Sequence, residues 1–235
     1  MSDFCRNCKE PINGNYCSNC GQPAQLKRID KHYIIQEVGD FLFANRGMVY
    51  TIRNVLVRPG ESVRRFITED RYRFVKPVTF LFISALFFAL LNNLFNIYDY
   101  SFDELGGAAF LMNWLIEHPA YTNITAGLFV SFWIKIFFKK AGYNFFEILI
   151  LLCFVFGIST LIDSVAIIIQ GIMNLKFEYI SIFIGTIYIT WAVGQFFDKK
   201  KAASYAKAFL SYFLGMLTFG LLIVIFAIVE IVNKL

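Results

Sequence analysis

Five stretches of the chain are long and apolar enough to cross a lipid bilayer as helices. A spanning helix needs about 20 mainly apolar residues to cross roughly 30 Å of hydrocarbon. The composition agrees, since 57% of the 235 residues are hydrophobic and 28 of them are Phe, which is more than an ordinary soluble domain carries. We therefore predict an all-α membrane protein with a bundle of about five transmembrane helices in residues 78–235. The predicted helices are 78–97, 121–138, 145–169, 180–197 and 209–232.

The charges of the predicted connections alternate along the chain. Residues 98–120 contain no Lys or Arg, whereas the next turn holds Lys139 and Lys140 and the fourth connection holds Lys199–Lys201 and Lys207. Because Lys and Arg accumulate in short cytoplasmic loops, we expect the basic turns and the N-terminus in the cytoplasm. An odd number of crossings then places the C-terminus on the outer side.

Two pairs of cysteines precede the apolar region, each with two residues between its members. They are Cys5 with Cys8 and Cys17 with Cys20, within residues 1–25. Four thiolates from two such knuckles can close a tetrahedral shell around Zn²⁺ and supply the folding energy of a module too short for a core. We predict a zinc ribbon with one structural Zn²⁺ per chain, because a closed shell of four Cys leaves no position for water or substrate. Thiolates kept available for metal also indicate a reducing compartment.

A redox dithiol and two disulfides are the alternatives to zinc, and neither suits a short paired module on the cytoplasmic side. Small ribbons bind either proteins or nucleic acids. The basic residues near this one are only Arg6, Lys9, Lys27 and Arg28, so we expect a cytoplasmic protein partner and not a nucleic acid. Whether the chain also forms a homo-oligomer is left open.

Residues 30–77 have an amphipathic pattern with a basic face. Apolar residues recur at helical spacing on both sides of the Arg58-Pro59-Gly60 turn, which indicates short helices. Basic amphipathic helices beside a spanning segment lie in the headgroup layer with the apolar face toward lipid. Each Lys or Arg near an anionic leaflet contributes roughly 1 kcal/mol, so we predict interfacial helices on anionic membrane lipid.

The basic face has two interpretations. It can set the topology and contact headgroups in general, or it can bind a specific phosphate-bearing ligand through the planar fork of Arg. Arg58 is the best single candidate, since the rigid turn holds it in place. The full candidate set is Arg58, Arg64, Arg65, Arg71, Arg73 and Lys76.

Asp163 lies inside the third predicted span, where an ionisable residue is costly and by default indicates a functional site. Thr160 and Ser164 lie near the same helical face, and Glu230 lies near the outer end of the fifth span. In one interpretation Asp163 pairs with Lys176 or a neighbouring hydroxyl and locks helix packing. In the other it lies on a path through the membrane.

The order of several motifs resembles a bacterial membrane-protein family, the uncharacterised domain of unknown function 3667. These motifs are the two Cys pairs, Gly21-Gln22, Arg58-Pro59-Gly60, Arg71-Tyr72-Arg73 and Lys76-Pro77. The likeness runs from about Cys5 to the first span. It implies this architecture and a multi-pass setting in the bacterial inner membrane, with a periplasmic C-terminus, but it implies no reaction.

Signals of an enzyme are poor in the sequence. His32 and His118 fall on opposite sides of the predicted membrane, and neither a nucleotide-binding glycine loop nor a nucleophile beside a base is apparent. We expect a non-enzymatic inner-membrane protein whose zinc ribbon and basic helices recruit or sense a protein partner at anionic lipid. The alternative is a channel or carrier for a small solute or lipid, with Asp163 on the path.

Overall fold

The computed structural model divides the chain into two compact units, Met1–Asn45 and Arg46–Leu235. Most of the predicted ribbon and all of residues 30–46 lie outside the described residues. The residues that the structure describes are 47–69, 73–95, 117–173 and 178–234, with 4, 8, 10, 11, 14, 16–19, 97, 111 and 113–115.

The second unit is α-helical, which confirms the all-α part of the predicted fold class. The helices of the described residues are α1 Gly47–Val57, α2 Pro59–Thr68, α3 Pro77–Phe95, α4 Pro119–Phe137, α5 Phe145–Met173, α6 Glu178–Asp198 and α7 Ala202–Lys234. A short 3-10 turn, Lys139–Ala141, follows α4.

Four of these helices are long and apolar enough to cross a membrane, which indicates a multi-pass membrane protein. They are α3, α5, Tyr179–Asp198 of α6 and Ala202–Phe226 of α7. The remaining predicted span, residues 121–138, corresponds to α4, which has 19 residues but is not among the four. Polar residues such as Asn123 and Lys135 lower its hydropathy, so length and composition alone support four crossings.

Two spanning helices are longer than their apolar stretches predict. Helix α7 begins at Ala202 and not at Phe209, because the alanines of its first turns favour a helix and Lys207 does not interrupt it. Helix α5 continues to Met173. At about 1.5 Å per residue both helices exceed the roughly 30 Å of a hydrocarbon core.

Helix α5 is the centre of the bundle. Its residues 151–160 are all buried, and it packs against α3, α4 and α6 as well as α1 and α2. Helix α7 packs on α4 and α6. The close approach of α7 to α4 depends on Gly215, where a Cβ atom would lie 2.6 Å from the Cα of Val130.

A break in the helical backbone at His118 precedes α4, which begins at Pro119. Pro119 has no N–H, so the Leu115 carbonyl one turn earlier lacks its usual helical donor, and the Thr122 hydroxyl donates to it instead at 2.6 Å. The His118 amide still donates to the Trp114 carbonyl at 3.0 Å. Helical backbone therefore extends into residues 98–120, the predicted connection between the first two spans. Its helical positions are 111, 113–115 and 117.

Candidate functional site

Helix α2 lies directly against the last turns of α6. The Gly60 amide donates to Gln195 Oε1 at 2.9 Å, and a Cβ atom at position 60 would lie 2.5 Å from the carbonyl carbon of Gln195. The contact therefore requires glycine. Arg64 Nη1 donates to the carbonyl oxygens of Gln195, at 3.0 Å, and of Phe196. These carbonyls belong to the end of α6, where intrahelical donors are missing, so Arg64 caps that helix.

Helix α1 is attached by two further hydrogen bonds. The Tyr188 hydroxyl of α6 donates to the Val55 carbonyl at 3.0 Å, and the Val75 amide donates to Thr51 Oγ1 at 3.0 Å. The side chains of Val55 and Val63 are fully buried. We predicted that this apolar face contacts lipid, whereas α1 and α2 pack it against α5 and α6. The place of the segment at the membrane interface stays a prediction.

A phenylalanine cluster completes the docking of this segment. Phe66 of α2 and Phe74, just before α3, lie with their ring centroids 5.2 Å and 6.2 Å from that of Phe154 in α5. The Phe80 ring of α3 lies 5.9 Å from the same ring. Aromatic pairs of this kind contribute about 0.5–1.5 kcal/mol each beyond their buried area. The segment before the first span is thus part of the hydrophobic core.

The residues predicted to bind phosphate differ in their surroundings. The Arg64 guanidinium binds α6 carbonyls and lies 5.9 Å from the centroid of the Phe196 ring. Arg65 lies between Glu61 and Glu69, at 3.6 Å and 3.7 Å. Exposed ion pairs one helical turn apart are weak. Arg65 can therefore exchange its partners for an anion more readily than Arg64 can.

The other candidates on this segment present their charges outward. Arg58, Arg73 and Lys76 are exposed, while Arg71 lies outside the described residues. Arg58 occupies the turn between α1 and α2, and its amide donates to the Asn54 carbonyl at 2.8 Å. Its backbone is therefore held while its side chain reaches solvent, in keeping with the rigid turn predicted there.

Asp163 lies in α5 at the contact with α6. Its carboxylate and the Ser181 side chain form a hydrogen bond between the two helices. The other carboxylate oxygen, Oδ1, is buried and has no hydrogen-bond partner among the described residues. A buried polar atom without a partner is unfavourable, so helix packing alone does not explain this carboxylate.

Further polar groups lie close to Asp163. The Tyr212 side chain of α7 lies beside that of Thr186 in α6 and close enough to Asp163 for an electrostatic interaction with its carboxylate. The Thr186 hydroxyl donates to the Ile182 carbonyl of its own helix at 2.9 Å. Thr190 Oγ1, one turn further along α6, is also buried without a partner in the described part of the chain. Asp163, Ser181, Thr186 and Tyr212 together form what we call the polar cluster, shared by α5, α6 and α7.

The remaining predicted intramembrane residues lie beside this cluster or outside the described set. The Thr160 hydroxyl accepts from Asn123 Nδ2 at 3.0 Å, which joins α4 to α5, and the Ser164 hydroxyl donates to the Thr160 carbonyl at 2.8 Å. Glu230 belongs to α7, but its side chain lies outside the described residues, as does Lys176. Sequence reasoning did not select Asn123, although an Asn within an apolar stretch was a usable signal.

The N-terminal unit brings one cysteine of each pair together. The sulfur atoms of Cys8 and Cys17 lie 3.4 Å apart, and Cys17 is buried. Four sulfurs at about 2.3 Å from a tetrahedral Zn²⁺ lie roughly 3.8 Å from one another, so these two fit one metal ion. Cys5 and Cys20, the other predicted ligands, lie outside the described residues.

The four long apolar helices indicate a helical, multi-pass membrane protein. Against this background, a family model described as protein of unknown function (DUF3667) matches residues 45–89. The match confirms the resemblance over α1, α2 and most of α3. It therefore covers the docked α1–α2 segment and much of the span that follows it. No curated protein and no solved structure matches the chain.

Proposed function

We propose that the protein is a non-enzymatic protein of the bacterial inner membrane that recruits or senses a cytoplasmic protein partner at anionic lipid. In this proposal the zinc ribbon binds the partner, and the exposed cations of the α1–α2 segment, Arg58 foremost, contact the lipid. The observation that carries the proposal is the fixed attachment of α2 to α6 through Gly60 and Arg64. Recruitment needs such a rigid basic platform beside the membrane.

The proposed topology has five crossings, with a cytoplasmic N-terminus and a periplasmic C-terminus. Helix α4 makes the second crossing, because its 19 residues cover about 28 Å at 1.5 Å per residue, and because it packs between α5 and α7. Lys135, near the inner end of α4, donates to the Tyr143 carbonyl, which draws its charge toward the interface. The basic turns after α4 and α6 then both face the cytoplasm.

The proposed cofactor is one structural Zn²⁺, held by Cys5, Cys8, Cys17 and Cys20. When bound, the metal stabilises the fold of the ribbon and has no open position for substrate. Full-length protein should carry one zinc, measured by elemental analysis. Cys17→Ser should remove it, whereas Cys153→Ser, in the buried part of α5, should leave it. Zinc that persists in Cys17→Ser contradicts the assignment.

The recruiting function is tested by crosslinking in intact cells, followed by capture of the tagged full-length protein from membranes. We expect a crosslinked cytoplasmic protein with the wild type and with Asp163→Asn, and none with Cys17→Ser. Capture that survives Cys17→Ser, at equal membrane levels of the two proteins, contradicts a role of the ribbon in recruitment.

A channel or carrier for a small solute or lipid is the second candidate, with Asp163 on the path. It is favoured by one observation, the buried Asp163 Oδ1 without a partner, since ionisable groups inside spans mark ion and proton pathways. Purified protein in vesicles with a trapped pH-sensitive dye separates the candidates. A carrier of protons should acidify the vesicles under a pH gradient and lose this activity in Asp163→Asn. A recruiting protein should give the same slow leak in both forms.

A further inference from the structure

The end of the bundle where α4 stops and α7 begins contains an open cavity of about 430 Å³. Four pieces of chain form its wall, namely the last turn of α4, the Lys139–Ala141 turn, the end of α6 with the connection that follows it, and the first two turns of α7. The two basic turns that are far apart in the sequence therefore meet here. This cavity is separate from both the α1–α2 segment and the polar cluster.

The lining of the cavity has a strong excess of positive charge. Lys139, Lys140, Lys201 and Lys207 line it, and Asp198 is the one carboxylate among its described lining residues. Asp198 pairs with Lys201 at 3.1 Å. The other three ammonium groups repel one another across the cavity, and an anion between them would relieve this repulsion.

The first turn of α7 adds to the attraction for an anion. Helix α7 begins at Ala202, and Ala203 and Ser204 line the cavity. The first N–H groups of a helix have no intrahelical acceptor and form the positive end of its dipole. The Ser204 amide donates to the Lys201 carbonyl at 2.9 Å, so the earlier N–H groups and the helix dipole supplement the lysines, and they do not define the site by themselves.

Part of the cavity wall is apolar. Phe138 and Phe197 stack with ring centroids 3.9 Å apart, and Lys207 Nζ lies 6.0 Å from the Phe138 ring centroid. Ile136 also lines the cavity. It is 45% exposed, and Phe132, one turn earlier on α4, is 56% exposed. An apolar strip therefore leads from the cavity along the outside of α4.

We propose that this cavity binds the phosphate group of an anionic phospholipid, with its acyl chain along Ile136 and Phe132. Lys139, Lys140 and Lys207 contact the phosphate oxygens. Basic pockets between spanning helices on the cytoplasmic side are suited to such headgroups, and the apolar strip distinguishes a lipid from a free phosphate ion. The proposal rests on the proposed function in naming an anionic lipid, but it needs neither the ribbon nor a partner, so the two can fail separately.

Native mass spectrometry of the full-length protein in detergent tests the site with added phosphatidylglycerol and phosphatidylcholine. The wild type should retain phosphatidylglycerol in preference to phosphatidylcholine. Lys139→Gln/Lys207→Gln should weaken phosphatidylglycerol binding by about tenfold or more, since each cation contributes roughly 1 kcal/mol. Inorganic phosphate at the same concentration should not displace the lipid.

A matched control removes two neighbouring charges that do not line the cavity. Lys199→Gln/Lys200→Gln has the same change in net charge and should bind phosphatidylglycerol as the wild type does. Equal losses in both double variants, or no loss in the cavity variant, overturn the proposal. Displacement by inorganic phosphate overturns the lipid assignment. If the cavity variant does not fold, Lys140→Gln alone should still weaken binding, and unchanged binding overturns the site.

Discussion

The backbone amide of Gly60 donates a hydrogen bond to the side-chain oxygen of Gln195 at 2.9 Å, although 135 positions separate the two residues in the chain. The contact joins α2 to the end of α6, and Gly60 lies within the segment that the family model matches. Because the backbones approach so closely, the identity of residue 60 decides whether the basic segment can dock on the bundle.

Gly60→Ala should destabilise the docked segment. The added Cβ atom would meet backbone atoms of Gln195 at 2.5 Å and of Phe196 at 2.6 Å, and backbone cannot rotate away as a flexible side chain can. Overpacking of this kind costs about 1–3 kcal/mol, more than the ~1 kcal/mol that Ala gains over Gly in a helix. The measurement is thermal unfolding of the purified protein in detergent.

Gly220→Ala provides the matched control for this variant. Gly220 also lies in a helix, but a Cβ atom there would have no other atom within 4 Å. The same substitution should therefore leave the unfolding temperature unchanged or raise it slightly, by the helix preference of Ala. If both variants unfold like the wild type, α2 does not pack on α6 as described.

Arg64→Lys should also destabilise the protein, although it keeps the charge. Lys lacks the planar fork of Arg, so it cannot donate to the Gln195 and Phe196 carbonyls as Arg64 Nη1 does. Loss of hydrogen bonds to a charged group costs about 1.5–3 kcal/mol. Unfolding of Arg64→Lys and Arg65→Lys should be compared, because Arg65 makes exposed ion pairs worth well under 1 kcal/mol. Similar losses for the two variants contradict the capping role of Arg64.

The apolar stretches predicted where helices lie, but not how the preceding segment packs. The length of an apolar run is enough to predict a spanning helix, and all five predicted stretches are helical. The stripe that includes Val55 and Val63 also predicted an apolar face. It could not predict that α5 and α6 cover this face. The residues that fix the contact, Gly60 and Gln195, are far apart in the chain, and neither residue type signals such a contact by itself.

The same limit applies to the polar cluster. Asp163 was predictable as a charged residue within an apolar run. Ser181 and Tyr212 were not, because their proximity depends on the register between α5, α6 and α7. Along a single helix, sequence spacing places residues on one face, so Thr160 and Ser164 were identified beside Asp163. No comparable rule predicts the axial position of one helix relative to its neighbour.

Asp163 and Ser181 should be energetically coupled. Ser181→Ala removes the hydrogen bond to the carboxylate and should cost about 1–3 kcal/mol, because a buried acceptor loses its donor. In an Asp163→Asn background the cost should be smaller, with a coupling of about 0.5–3 kcal/mol in a double-mutant cycle. Ser131→Ala is the control, since that buried hydroxyl donates to Leu128 in its own helix. Equal coupling for both serines contradicts the contact.

The number of crossings can be measured with a reporter that is active only in the periplasm. If α4 crosses the membrane, a fusion truncated after Gly142 is inactive and a fusion at the C-terminus is active. If α4 does not cross, four spans remain, and both results reverse. The five-span result is expected because Lys135 lies close to the inner end of α4, where a charge costs less than the roughly 3 kcal/mol at the centre of a span. Lys135→Leu is a useful second test. It should leave the pattern unchanged if α4 already crosses, whereas a change to the five-span pattern would show that this single charge keeps the native helix out of the membrane.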